Sequence, residues 1–259
     1  MKLSIVTDLD YTLPARTDLL LQLEAAMIPE QHVEHAHIDF PQTEHFARLP
    51  GHDTIGDRIW LRVEGHMHVH YEARVSIERM QSDIVVLERT PPHMLPAETI
   101  EYLMPSRYCR SDEFQALVEA DFGDLQGGKR IMAIRDWIEE SFEYAPGSSD
   151  PTTGALETYV QRRGVCRDFA HVLIAMARAS AIPARFASVY GLGVDPQDFH
   201  AVAEVFLDGS WHLVDATGMS SSDRMAKIGV GRDAADVSFL TSYGIANLNE
   251  QSISVEQIG

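Results

Sequence analysis

Two thiols, Cys109 and Cys166, are the side chains best suited to covalent chemistry at neutral pH. Cys166 follows Gly164-Val165 and opens a run, residues 166–180, in which Phe169, Leu173, Met176 and Ala177 recur at three- and four-residue spacing. That spacing predicts a helix with one buried face. A thiol at the start of such a helix meets unpaired backbone N–H groups and the positive end of the dipole. Both favour the thiolate, the form that attacks a carbonyl carbon. Cys109 has neither a helix start beneath it nor a His nearby, and reads as a structural thiol.

A thiol nucleophile needs a base, and the chain offers 12 His. Asp208-Gly209, lying between the alternating runs 201–207 and 211–216, predicts a two-residue hairpin turn. With that turn Leu207 lies opposite Ser210 and Val202 opposite Asp215. His200 and Asp215 then share a face on a diagonal of about 7–8 Å, which an imidazole and a carboxylate can bridge. His212 falls on the other face. The expected constellation is a Cys-His-Asp triad: Cys166 attacks, His200 takes the thiol proton and returns it to a leaving amine, and Asp215 orients the ring. The Cys166 N–H is one donor for the tetrahedral oxyanion, and spacing names no second.

These residues need elements to hold them. Up to about residue 104 the pattern is β-like. Within 60–78, Met67, Val69, Tyr71, Ala73, Val75 and Ile77 occupy one parity and His66, His68, His70, Glu72, Arg74 and Ser76 the other, as in a half-buried antiparallel strand. A β-sandwich-like domain is expected over 1–104. After Pro105 the period lengthens: helices are predicted at 112–121, at 129–142 with Ile131, Ile134, Ile138 and Phe142 inward, and at 153–164. Pro183 stops the helix that Cys166 opens, and strands follow from 185. Residues 105–259 thus read as an α+β catalytic domain, helices followed by an antiparallel sheet.

Composition narrows the partners. With 21 Lys and Arg against 39 Asp and Glu, the net charge of −18 repels polyphosphates, so nucleic acid is not an expected partner. Two cysteines cannot build a disulfide framework and suggest a reducing, cytoplasmic setting. No signal-peptide or membrane segment is expected, because Asp8 interrupts the start and Arg178 the richest apolar run.

Several ordered blocks carry a resemblance: Gly164-Val165-Cys166-Arg167-Asp168-Phe169-Ala170, Ile182-Pro183-Ala184-Arg185, His200-Ala201 with Glu204-Val205, Trp211, and Asp215-Ala216-Thr217. Together they resemble the core of the bacterial transglutaminase-like superfamily, which includes cysteine proteases. The segment 229–237, with Gly231-Arg232-Asp233, is similar to the stretch after the triad in that family, and 102–109 to the join with its N-terminal domain. The resemblance implies a papain-like core with Cys166 as nucleophile, His200 as base and Asp215 as orienter, acting on a peptide or carboxamide through a thioester. Water or an amine would resolve the thioester, and neither metal nor organic cofactor is implied. The chain departs from the family pattern at Val202, where Trp is common, and at Ala216, where Pro is common; both bear on groove shape.

The substrate the resemblance implies is a peptide, protein or small amide, and the overall acidity points to one that is cationic or bears an amine. Two other readings compete with an acyl-transfer enzyme. One is a non-catalytic peptide-binding module on the same fold. The other is a metal oxygenase using His66, His68 and His70, for which a solvated strand face is the simpler account.

Overall fold

The computed structural model describes residues 1–259. The period-two pattern of the first part builds four strands, β1 (Lys2–Leu21), β2 (Gln31–Asp39), β3 (His45–Pro50) and β4 (Asp57–Ile77). Short 3-10 turns then lead into α1 (Gln115–Phe122) and α2 (Gly127–Ser141). Next come β5 (Glu143–Tyr144), α3 (Ala155–Gln161), β6 (Arg163–Gly164) and α4 (Cys166–Ala179). The chain closes with β7 (Ala184–Gly191), β8 (His200–Leu207), β9 (Ser210–Val214), β10 (Met225–Gly231), β11 (Leu240–Ser242) and β12 (Asn247–Gln257). None of the helices is long and apolar enough to cross a membrane.

In β4 the predicted parity is the observed one: Met67, Val69, Tyr71, Ala73, Val75 and Ile77 are buried. They face inward beside Leu3, Ile5 and Leu9 of β1, which pairs antiparallel with β4 along most of its length. These strands belong to one six-stranded sheet, ordered β11-β1-β4-β2, with β12 also on β1 and β3 also on β4. Its apolar face is covered by Tyr190, Ala226 and Ile228 from β7 and β10, so the partner layer of the expected sandwich comes from the second part of the chain. Tyr190 fixes the junction, donating to Leu23 O at 2.7 Å and accepting from Thr7 Oγ1 at 3.1 Å.

The second sheet, ordered β10-β7-β8-β9, is the α+β unit expected from the sequence. Further along the strands the same face that bears Tyr190 packs on α4, whose Phe169, Leu173, Met176 and Ala177 join one core with Phe186 of β7 and Ala203 and Val205 of β8. At the end of the expected catalytic unit, 105–259, β11 and β12 pair with β1 and complete the first sheet. Their pairing is non-local, with Leu3 opposite Gln257, and so leaves no local signature.

The two sheets are also tied by buried charge. Glu204, 1% exposed on β8, receives Arg185 at 2.7 Å and Lys227 from β10. Arg185 reaches Asp53 of the first part at 2.6 Å, and Lys227 reaches Glu30. The Arg185 guanidinium also lies 4.0 Å from the Trp211 ring centre.

Candidate active site

Three elements meet at Cys166. β5 and β6 pair in parallel, Tyr144 opposite Gly164, and deliver the chain to the first residue of α4. The helix start is held by Asp168, fully buried, whose Oδ2 accepts the Val165 N–H at 2.9 Å and the Ser149 hydroxyl at 2.6 Å. Arg167 closes on Asp168 Oδ1 at 2.8 Å. This carboxylate at the third helical position caps the amino end and complements the positive end of the helix dipole.

Gly164 is required by contact. A Cβ there would sit 2.6 Å from Asp168 Cβ and 2.9 Å from Oδ2. Gly164→Ala is therefore expected to displace the cap and cost about 1–3 kcal/mol, the range for forced overpacking, read as a lower urea midpoint.

The Asp208-Gly209 hairpin has the predicted register: Leu207 faces Ser210, and Ala203 faces Val214. His200 at the start of β8 thus reaches Asp215 just past β9, with His200 Nε2 2.9 Å from Asp215 Oδ2. Both are buried. His212 faces away and lies 3.2 Å from the Leu207 carbonyl.

Asp215 is well supplied with donors. Oδ1 accepts the Thr217 N–H at 2.9 Å and its hydroxyl at 2.7 Å, and Oδ2 accepts the Ser220 N–H at 3.0 Å. Burial by itself would raise the pKa of Asp215, but His200 and Thr217 outweigh it and hold the carboxyl below its usual value. Burial would likewise lower the pKa of His200; Asp215, hydrogen-bonded to its ring, and the neighbouring Cys166 outweigh this and push it up to about 10. The second ring nitrogen, Nδ1, is buried and has no conventional hydrogen-bond partner. The imidazole thus presents one nitrogen to Asp215 and leaves the other unpaired.

Tyr144 is the residue that sequence reasoning missed. Its hydroxyl lies near Cys166, and burial followed by the charge of Cys166 raises its pKa. A two-residue parallel bridge is too short to leave a periodic signal, so spacing gave no hint of it. Thr217 and Ser220, which steady Asp215, lie just beyond it within a tight turn that their polar side chains do mark.

Cys166 and His200 line a cleft of about 700 Å³. Its walls come from both sheets: Phe186 and Ser188 from the second, Leu240, Thr241, Ser242 and Gln251 from the first. Arg107 and Arg167 line it along with one carboxylate, Asp198, so the acidity of the whole chain is not reproduced locally. Burial raises the pKa of Asp198.

The other candidates lie elsewhere. Cys109 is fully buried, and burial pushes its thiol up to about 12. His66 pairs with Asp10 at 2.7 Å, while His68 and His70 pair with Asp8 at 3.2 and 2.8 Å, all on the outer face of the first sheet. No three His, Cys, Asp or Glu side chains converge there as a metal site would need.

A helix-borne thiol beside a strand-borne His-Asp pair, on helices packed against an antiparallel sheet, defines a transglutaminase-like core. The sequence profile of the transglutaminase-like superfamily matches residues 115–216. The chain is similar over 99% of its length, at 32% identity and a TM-score of 0.91, to the crystal structure of a candidate cysteine protease from Cytophaga hutchinsonii, 90% of which it covers. The chain belongs to the transglutaminase-like superfamily. It is also 30% identical over 118 residues to an uncharacterised Mycobacterium leprae protein, and 34% identical over 142 residues to one from Mycobacterium bovis. These matches take in 42% and 49% of this chain, and span less than half the length of those relatives, 42% and 44%.

Proposed function

We propose that the protein is a thiol-dependent acyl-transfer enzyme in which Cys166, His200 and Asp215 form the catalytic triad. The observation that carries this reading is His200: one nitrogen fixed to Asp215 at 2.9 Å, the other buried without a conventional partner, in a ring whose pKa the Cys166 sulfur helps to raise. Cys166 gives its proton to Nδ1 and attacks the carbonyl carbon of a peptide or carboxamide. The tetrahedral intermediate collapses as His200 protonates the leaving amine, and the acyl group stays on sulfur as a thioester. Water then releases an acid, or a second amine takes the acyl group; either regenerates the thiol. Its similarity to a candidate cysteine protease favours a peptide or protein substrate. A free Cys166 and a free Cys109 fit a reducing compartment such as the cytoplasm.

The oxyanion receives two donors in this reading, the Cys166 N–H and the Tyr144 hydroxyl. Tyr144→Phe is expected to lower kcat about 10²–10³-fold, the usual loss of one oxyanion donor. Alkylation of Cys166, which develops no oxyanion, should change little.

Intact-mass labelling with iodoacetamide at neutral pH tests the nucleophile. Cys166 should react far faster than Cys109, and His200→Ala should abolish the difference; equal rates in the wild type would sink the proposal. Ammonia release from Gln peptides, with and without a primary amine, then separates hydrolysis from transamidation by whether the amine is incorporated.

A further inference from the structure

The last hairpin of the chain gives the cleft an unusual wall. β11 is an edge strand, hydrogen-bonded to β1 on one side only. Gln22 N donates to Phe239 O at 3.0 Å and Tyr243 N to Asp18 O at 2.9 Å, so alternation turns the amides of Phe239, Thr241 and Tyr243 toward β1. Leu240 and Ser242 therefore turn theirs outward. On that outer side the Leu240 carbonyl accepts the Ser238 hydroxyl at 2.8 Å, and no strand pairs with the rest.

The neighbouring strand on the same side of β1 treats its outer edge differently. At Val255 the side-chain amide of Gln197 both donates and accepts at 3.1 Å, filling the place of a missing strand. The bare edge of β11 lines the cleft beside Cys166 and His200. Just beyond it the connecting turn exposes two large apolar side chains, Tyr243 and Ile245, at 65% and 67%, and the start of β12 a third, Leu248, at 52%. A bare edge flanked by apolar surface is a liability unless something covers it.

We propose that the occupant is the substrate itself: an extended, apolar-rich polypeptide segment that adds as a further strand along β11 and so lays its scissile carbonyl toward Cys166. This rests on Cys166 as the nucleophile, and it deepens that reading by naming an unfolded or locally extended protein chain as the substrate class. Main-chain bonds to the outward N–H groups of Leu240 and Ser242 would supply affinity and alignment, and the exposed Tyr243, Ile245 and Leu248 would take alternate apolar side chains. Folded helices present no such free main chain, so the site selects for extended segments.

The experiment is protection of Cys166 from iodoacetamide by β-casein, a disordered polypeptide, and by a Val/Thr/Leu decapeptide with or without N-methyl groups on alternate amides. Each protein is referred to its own rate without peptide. Wild type should be protected by casein and the plain decapeptide and about tenfold less by the methylated one, whose edge cannot pair. Ser242→Pro removes an outward donor where an edge strand tolerates Pro, and should weaken protection about tenfold. Tyr243→Ala/Ile245→Ala, which leaves the strand's backbone intact, should weaken casein protection as well. Equal protection by the two decapeptides, or none by casein, overturns the proposal. Slow alkylation of Cys166 in the absence of any peptide is a different failure, that of the nucleophile itself.

Discussion

Asp215→Asn is expected to lower kcat on the order of 10³-fold or more while leaving the cleft intact. The amide is the same size and keeps a carbonyl for Thr217, but it cannot hold an imidazolium or select the tautomer in which Nδ1 is free to take a proton. The pH profile should report the same loss. In the native protein His200 stays protonated up to about 10, so the alkaline limb of kcat/KM should lie near that value. Without the carboxylate the limb should move down toward the ordinary 6.5. Stability should vary with pH in the same sense. A His whose folded pKa is raised stabilises the fold fully below its unfolded value, and that contribution fades as pH rises through about 10. The variant should lack this fading. An unchanged limb in Asp215→Asn would falsify the assignment of Asp215 as the orienting group.

Glu204→Gln should produce the largest loss of stability, about 3–5 kcal/mol, because it leaves Arg185 and Lys227 buried with one carboxylate fewer. Burial alone would raise the pKa of Glu204; Lys227 and Arg185 instead bring it down to about 2. Its contribution is therefore present above the ordinary 4.5 and is lost as pH falls toward 2. The gap between the urea midpoints of wild type and variant should be narrower at pH 3 than at pH 7. A midpoint at pH 7 equal to wild type would mean that Asp53 and Glu30 suffice for the two cations. Because the network links β8 to the first part of the chain, the loss should extend to the joint between the sheets rather than stay in β8.

Much of this architecture could be read from local pattern. The stripe of Phe169, Leu173 and Met176 set the face of α4, and with it the place of Cys166. One turn dipeptide, Asp208-Gly209, fixed the register that brings His200 to Asp215, since a slip of one residue would have sent one of them to the other face. The features that stayed hidden depend on distance along the chain or on brevity. Nothing local in 240–257 says that it will pair with β1, because an edge strand is defined by the strand it finds. Tyr144 is placed by two residues of parallel pairing, below the length at which alternation means anything. Glu204 lies in a run of eight buried residues, where burial on both faces erases alternation and gives no sign that a charge network is inside.

The return of the last strands to the first has a consequence in time. Leu3 waits opposite Gln257, so β1 can pair with β4 early but cannot receive β12 until nearly the whole of this sequence has left the ribosome. The helix bearing Cys166 and the hairpin bearing His200 and Asp215 are made well before then. During synthesis Cys166 and His200 can meet while one wall of the cleft is still missing, and the emerging chain, itself extended and rich in apolar strands, passes a site that has no groove yet in which to hold it.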